Sequence, residues 1–573
     1  MKILGIGCSS FHDPSAALLI DGEVVAAAEE ERFTRDKHAF GQNPVHAARF
    51  CLAQAGIEAK DLDLIAYPWS ADILHEKRWE YAKRAFPKAP SKALRAFTKL
   101  KRLQRRRVGA LHATLRELGI DPNAIETEFV EHHLAHASSA FHCSGFPSCA
   151  LLTADGEGEV TSTLLGEGLA DRTIKKHREV LKPDSLGLFY STMTEYLGFR
   201  SMNGEYKVMG MAPFGDPSKV DLSRMVQLTE TGFRCDDERV WVARKNRHGD
   251  KHFARAMVDE LGPPRQGDGL SEPYIHIAAA TQKLLEDTVL GLVDRHLLEV
   301  LERHEGRLAF AGGVALNVRL NRKLIEHPAI KQLWVQPASS DAGIALGAAT
   351  FVSERRGVRV KPMQSVALGP SYDGAAVREV LERYKIPYEV VSDPADTAAE
   401  LLAAGHIVSW FQGRMEFGPR ALGQRSILGN PGIKGTADEI NSRIKFRENW
   451  RPFCPSILAE RASEVFDNEH DSPFMTFSFG VRPEWREKIP EVVHVDGSAR
   501  PQLVRADRAP AFYELLKRFE AKSGLPVVIN TSLNRRGEPM VCSPEDAVAM
   551  FFGSGLEFMV IEDVLVRKRP EAV

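Results

Sequence analysis

Glu131-His132-His133-Leu134-Ala135-His136 and, after a short apolar run, Thr153-Ala154-Asp155-Gly156-Glu157-Gly158-Glu159 are the two stretches whose joint reading decides this chain. On a helix, His132 and His136 stand one turn apart on one face, so two imidazoles can close on a single ion. Cys149-Ala150-Leu151-Leu152-Thr153 reads as an apolar strand, and Asp155 follows it in a Gly-rich loop, where a carboxylate could supply a third, harder ligand. The competing reading is that His132, His133, His136 and His142 decorate a partly buried helix, because a helical histidine pair needs its context before it counts as a metal site. Asp341, in Ser339-Ser340-Asp341-Ala342-Gly343, would complete a His, His, Asp, Asp set; as the N-cap of the small-residue helix that follows, it needs no chemical role.

Outward from these stretches the chain repeats itself. Strand Ala150 to Thr153, loop Asp155 to Glu159 and strand Val160 to Gly166 echo strand Ile3 to Gly7, loop Ser9 to Pro14 and strand Ser15 to Ile20. Asp21-Gly22 then separates two apolar runs, a hairpin signal, so the start is a meander and not a Rossmann unit. Two strand, loop, strand units suggest a duplicated fold with a ligand cleft between its halves. Between the echoes, Tyr81 to Arg116 carries many Lys and Arg and no Asp or Glu, which fits a helical insertion over about 75–118 with a solvated basic face. Ile275 to Val300 reads as one long helix. Leu308 to Asn317 is a strand entering a Gly312-Gly313 turn, where backbone can approach a base or ribose.

Bulk properties narrow the class. A length of 573 residues exceeds one core, and 43% hydrophobic with 27% charged residues describes a globular chain, not a disordered one. A net charge of -2 gives no global pull toward nucleic acid or anionic lipid. Seven cysteines form no CxxC and cannot all pair, which argues against structural zinc and a disulfide scaffold. Without a leader-like start or an apolar run of membrane length, the expected location is cytoplasmic.

Irregular sequence from Glu354 to Gly374 marks a boundary, giving domains 1–355 and 366–573. The second carries Gly413-Arg414-Met-Glu416-Phe-Gly418-Pro-Arg420-Ala-Leu-Gly423-Gln-Arg425, where guanidinium forks and exposed backbone suit phosphate or carboxylate. Asn441 to Pro452 is a second basic tract with aromatics, and Leu525 to Ser532 is an apolar strand ending in Asn530-Thr531-Ser532. A strand end delivering small polar groups near arginines reads as a nucleotide and acyl-phosphate site.

Together, Phe11-His12-Asp13-Pro-Ser-Ala-Ala, Glu29-Glu-Glu-Arg-Phe-Thr34, His132-His-Leu-Ala-His136, Glu416-Phe-Gly-Pro-Arg-Ala-Leu-Gly423 and Ile529-Asn-Thr-Ser-Leu-Asn534 resemble the NodU/CmcH-type O-carbamoyltransferases over nearly all of the chain. The resemblance implies an α/β protein: a duplicated actin-like ATPase (RNase H-like, TsaD-like) N-terminal domain plus a YrdC-like C-terminal domain. It implies that carbamoyl phosphate and ATP yield carbamoyl-adenylate, and that an acceptor hydroxyl of a small natural product takes the carbamoyl group with release of AMP. By family match, Arg420, Lys445 and Arg451 hold carbamoyl phosphate and ATP phosphates, and Asn530 and Ser532 contact nucleotide. Gly312, Gly313 and Asn317 hold nucleotide in the N-terminal domain. His132, His136, Asp155 and Asp341 match metal ligands, implying iron(II), although nitrogen and oxygen donors alone also suit zinc or manganese; Mg2+ would accompany ATP. His12 would remove the acceptor proton, a task its ordinary pKa suits, with Asp13 orienting it or capping a turn. The expected partners are ATP, carbamoyl phosphate and a hydroxylated antibiotic-type acceptor, with no membrane partner and a homodimer left open. Two other readings stay in view: a threonylcarbamoyl-type transferase using the basic run on tRNA, against which the bulk charge argues, and a non-catalytic metal- and nucleotide-binding scaffold.

Overall fold

The computed structural model describes residues 1–7, 12–86, 90–98, 100–240, 246–468 and 470–568. Cys8 and the Ser9, Ser10 and Phe11 positions of the Ser9 to Pro14 loop therefore lie outside the described residues. The chain forms two compact units, one of Met1–Val25 with Gly41–Met363, the other of Ala26–Phe40 with Gln364–Val573.

Two five-stranded sheets share one topology, and their strands lie in the first unit except for the Ala26–Glu29 end of one strand. In the first, β1 (Lys2–Gly7), β2 (Ser15–Ile20), β3 (Glu23–Glu29), β4 (Leu64–Tyr67) and β5 (Glu126–Phe129) lie in the order β3-β2-β1-β4-β5. β1 pairs antiparallel with β2 and parallel with β4, which pairs parallel with β5. In the second, β6 (Cys149–Ala154), β7 (Thr161–Gly168) and β8 (Ile174–Leu181) form the meander. After a hairpin of β9 (Val226–Thr229) and β10 (Gly232–Cys235), β11 (Arg307–Ala311) and β12 (Gln332–Val335) complete the order β12-β11-β6-β7-β8. β6 is antiparallel to β7 and parallel to β11, as β1 is to β2 and β4. The repeated strand, loop, strand signal in the sequence thus marks a repeat of whole sheets.

The central strands are apolar because both faces are covered: β6 is buried along its full length. The helix Ile344–Arg355 packs on β1, β2 and β4 and on the helix His132–Ser144. The basic run is helical as expected, in segments Ala71–Ala85, Pro90–Thr98 and Leu100–Glu117. The single helix expected over Ile275 to Val300 is instead two, Tyr274–His296 and Leu298–Arg303, with Leu297 at φ -118° between them.

The second unit is built on an eight-stranded sheet of β13 (Glu389–Val390), β14 (Val408–Phe411), β15 (Arg425–Gly429), β16 (Cys454–Leu458), β19 (Gln502–Val504), β20 (Val527–Ser532), β21 (Phe558–Ile561) and β22 (Val564–Arg567). Its order is β13-β22-β21-β14-β15-β20-β16-β19, and a small ladder pairs β17 (Phe479–Gly480) with β18 (Ser498–Ala499). Trp410, Leu428, Val528 and Val560 from the sheet pack with Phe512, Leu516 and Phe519 from the helix Pro510–Ser523 into one core. The six described cysteines are buried, and no helix of the described residues is long and apolar enough to cross a membrane.

Candidate functional site

His132 and His136 open the helix that follows β5, and their Nε2 atoms lie 3.1 Å apart. Asp155 leaves the end of β6 with its Oδ2 3.3 Å from His132 Nε2 and 3.6 Å from His136 Nε2. Asp341 Oδ1 stands 3.5 and 3.8 Å from the same two nitrogens. One donor atom from each of the four residues falls within a 4.8 Å cluster. Two imidazole nitrogens and two carboxylate oxygens converging on one point fit a divalent cation.

The surroundings fix each ligand. Glu159, buried, accepts the His132 backbone N–H at the helix start, where a carboxylate complements the helix dipole. Asp155 points its second oxygen, Oδ1, at the Gly313 N–H, 2.9 Å away. Ser340 caps the 3-10 turn Asp341–Gly343, its side chain accepting from Ala342 N, and Gly343 is the N-cap of the helix Ile344–Arg355. The capping role that the sequence allowed Asp341 is already filled, which leaves its carboxylate for the cluster. His133 turns away and bonds Thr153 Oγ1 through Nδ1 at 2.6 Å.

His12 lies beside this cluster, with Nε2 4.0 Å from Asp341 Oδ2 and Nδ1 3.2 Å from Asp13 Oδ2. Burial pulls the His12 pKa down, but the Asp13 hydrogen bond and the Asp341 charge outweigh it and raise it to about 9. Burial likewise opposes the rise at His136, which the Asp155 and Asp341 carboxylates carry to about 9. His133 moves the other way, pushed well down by burial and then by its two histidine neighbours. His136 therefore holds a proton that a cation would replace.

The β11 turn meets β6 at close range. Gly312 sits at φ +95°, and a Cβ there would meet Ala154 O at 2.2 Å, so the turn lies directly against the end of β6. Asn317 caps the helix Val318–Ile325, accepting from Leu320 N, and pairs its amide with Gln282.

In the second unit the focus is Lys445, at the end of a π-helical turn Ile440–Lys445. Its Nζ donates to the Ser532 carbonyl, to Ser532 Oγ at 3.2 Å, and to Asn534 O and Oδ1 at 3.0 and 2.7 Å. Burial, then the charges of Arg447, Arg451 and Lys37, push its pKa well below the usual lysine range. An environment this rich in fixed positive charge favours an anion. Asn530 and Ser532 sit two apart on β20 and so share a face. Asn530 donates to Ala421 O at 3.3 Å, which brings the backbone beside Arg420 to this strand, and its Oδ1 is buried without a hydrogen bond. Arg451 pairs with the buried Glu448 at 3.6 Å.

Two arginines assigned to anion recognition from sequence have other work. Arg414 donates to the Leu368 and Gly369 carbonyls. Arg425 is fully buried, lies 3.5 Å over the Phe411 ring and donates to the Gln412, Gln424 and Pro370 carbonyls. The residues that sequence reasoning passed over are Asn534, which completes the Lys445 cage, and Glu416, whose Oε1 accepts the Leu422, Gln424 and Arg425 N–H groups. Both lie within stretches already singled out, so the motifs were the signal and the side-chain roles were not.

A duplicated α/β unit with a four-donor cluster beside a histidine, and an α/β unit with a lysine-centred cationic site, define a group-transfer enzyme. The chain belongs to the carbamoyltransferase family: residues 2–350 match the family model described as carbamoyltransferase N-terminus and residues 399–568 the model described as carbamoyltransferase C-terminus. It is 37% identical to an uncharacterised protein of Synechocystis sp. over 99% of this chain and 96% of that one. It is also 37% identical to the nodulation protein NolNO of Sinorhizobium fredii, over 97% of this chain and 79% of that one. Among solved structures, HypF of T. kodakarensis aligns with 63% of this chain and 48% of its own at a TM-score of 0.33 and 14% identity.

Proposed function

We propose that this carbamoyltransferase is ATP-dependent and works in two steps, with carbamoyl phosphate as donor and a hydroxyl of a small natural product as acceptor. The observation that carries the reading is the pairing, in one chain of this family, of His12 beside the His132, His136, Asp155, Asp341 cluster with the cationic cage of Lys445. The repeated sheet order supports an actin-like first domain, and we assign the second as YrdC-like.

In the first step, carbamoyl phosphate with one water gives carbamate and phosphate, and carbamate attacks the α-phosphorus of ATP, releasing pyrophosphate and leaving carbamoyl-adenylate. Lys445, Arg420 and Arg451 would hold the phosphate oxygens, where fixed cations meet developing negative charge without reorganising. Asn530 and Ser532 would orient the nucleotide from one strand face. In the second step His12, in its neutral form, takes the proton of the acceptor hydroxyl as its oxygen bonds the carbamoyl carbon, and AMP leaves; with the His12 pKa raised to about 9, transfer should rise as pH climbs toward 9. Asp13 accepts from Nδ1–H and so keeps Nε2 turned toward the acceptor. His132, His136, Asp155 and Asp341 would hold iron(II) or a similar cation, whose bound positive charge supplies Lewis-acid stabilisation to the adenylate phosphate. Mg2+ would enter with ATP.

Incubation of purified protein with carbamoyl phosphate and ATP, read by mass spectrometry for carbamoyl-AMP and pyrophosphate, tests the reading. Formation of carbamoyl-AMP upholds it. Production of ADP without AMP or adenylate, in folded metal-loaded protein given candidate acceptors, overturns it.

A further inference from the structure

The Glu29-Glu30-Glu31-Arg32-Phe33-Thr34 stretch has no part in the site described so far, yet it is folded into the second unit, far from it in sequence. Its side chains converge on the two turns that carry the donor-site groups. Glu29 Oε1 accepts the Gly418 N–H at 2.9 Å, and Arg32 donates to the Gly418 carbonyl, also at 2.9 Å. The two residues are themselves joined by a fork, Nη2 to Oε1 at 3.1 Å and Nε to Oε2 at 3.3 Å, and both are almost fully buried. The Gly418 peptides are thereby gripped from both sides in a backbone conformation, φ +114°, that only glycine adopts without strain. Arg420 follows two residues later.

At the other turn, Arg35 donates to the Met540 and Pro539 carbonyls at 2.6 and 3.0 Å. That turn is closed by Asn534, which donates to Glu538 O at 2.6 Å and accepts from Lys445. Phe33 packs between the two, against Met415, Ala421, Met540 and Cys542. One short segment thus bonds the turn that presents Arg420 and the turn that cages Lys445. A buried, bidentate, charge-assisted grip is costly to desolvate and strongly directional, which suits an element that fixes geometry more than one that adds stability.

We propose that Glu29, Arg32 and Arg35 form a strap that positions Arg420 and Lys445 relative to each other for the phosphate-bearing donor; the proposal rests on the donor-site reading above. The strap residues are positioning residues, since none need touch the donor. Misplacement by about 1 Å of a group that orients a reacting phosphate costs on the order of a hundredfold in rate.

The test compares Glu29→Ala, Glu29→Gln, Arg35→Met and Arg420→Ala in the full chain, using carbamoyl phosphate as the calorimetric titrant and carbamoyl-AMP formation as the kinetic readout. All are assayed well below their melting temperatures, with folding checked by circular dichroism. Glu29→Ala and Arg35→Met are expected to weaken carbamoyl phosphate binding at least tenfold and to raise KM for it. Glu29→Gln, whose amide oxygen still accepts from Gly418 N, is expected to recover most of that loss. Strap variants that melt earlier but bind carbamoyl phosphate as the parent does would make the segment structural only and overturn the proposal. If Arg420→Ala itself binds like the parent, the donor-site reading falls, and the strap's role with it.

Discussion

At the scale of single residues, the two sites should titrate in opposite senses. His136 is held near 9 by Asp155 and Asp341 against the pull of burial, so near neutral pH a cation entering through its Nε2 must displace a proton. Metal binding should therefore release protons, and affinity should drop about tenfold per pH unit for each proton displaced as pH falls below 9; competition titration with a chelating dye at several pH values measures this. Lys445 is the reverse case. Burial and neighbouring cations depress its pKa, and an anion beside it restores the ammonium, so phosphate or ATP binding should take protons up. Calorimetry in buffers of different ionisation enthalpy gives the sign directly, and proton release on anion binding would contradict the assignment. Substitution separates the half-reactions: His12→Ala should leave carbamoyl-AMP formation within about twofold and lower transfer by roughly 100-fold or more, whereas Arg420→Ala should stop both. Loss of adenylate formation in His12→Ala would break that division.

At the scale of elements, the sequence showed the strands and helices well and the duties of their ends poorly. The apolar run before Asp155 and the i, i+4 histidines both follow from periodicity, and both are where the pattern placed them. What periodicity cannot reveal is which of several equivalent polar groups a distant element will engage. His133 is one residue from a ligand, yet Thr153 claims it; Ser340 and Asp341 are both good caps, yet only Ser340 caps; Arg425 looks like an anion binder until Phe411 and three carbonyls enclose it. The Gly312 turn allows a prediction of the same kind. Gly312→Ala sets a Cβ 2.2 Å from Ala154 O at a positive φ, so the β6 end must shift, at a cost of about 1–3 kcal/mol. Because Asp155 is the next residue along and Gly313 N–H is its anchor, metal stoichiometry should fall along with the urea midpoint. A variant that melts earlier but keeps full metal content would show that the turn does not set the ligand.

At the scale of the molecule, two compact units predict unfolding that is not two-state. All four donors of the cluster belong to the first unit, so a bound cation should stabilise that unit alone, by about 2.7 kcal/mol at a concentration a hundred times its Kd. In scanning calorimetry one transition should rise on metal addition and fall with chelator while the other stays in place. The repeat of the sheets was legible as an echo of strand, loop, strand because those segments carry the apolar pattern. The assignment of Ala26–Phe40 to the second unit was not legible, since its partners are far away in sequence and nothing local to Glu29 or Arg32 declares them.

That assignment sets the order of events during synthesis. Arg32 leaves the ribosome 386 residues before the Gly418 carbonyl it will bind, and translation at about 5–20 residues per second makes that a wait of roughly twenty seconds to over a minute. Through that interval a charged pair destined for burial stays solvated, while the segment that follows it can already assemble. The second unit then closes around a segment made well before the rest of it, so its completion reports that translation has passed Gly418.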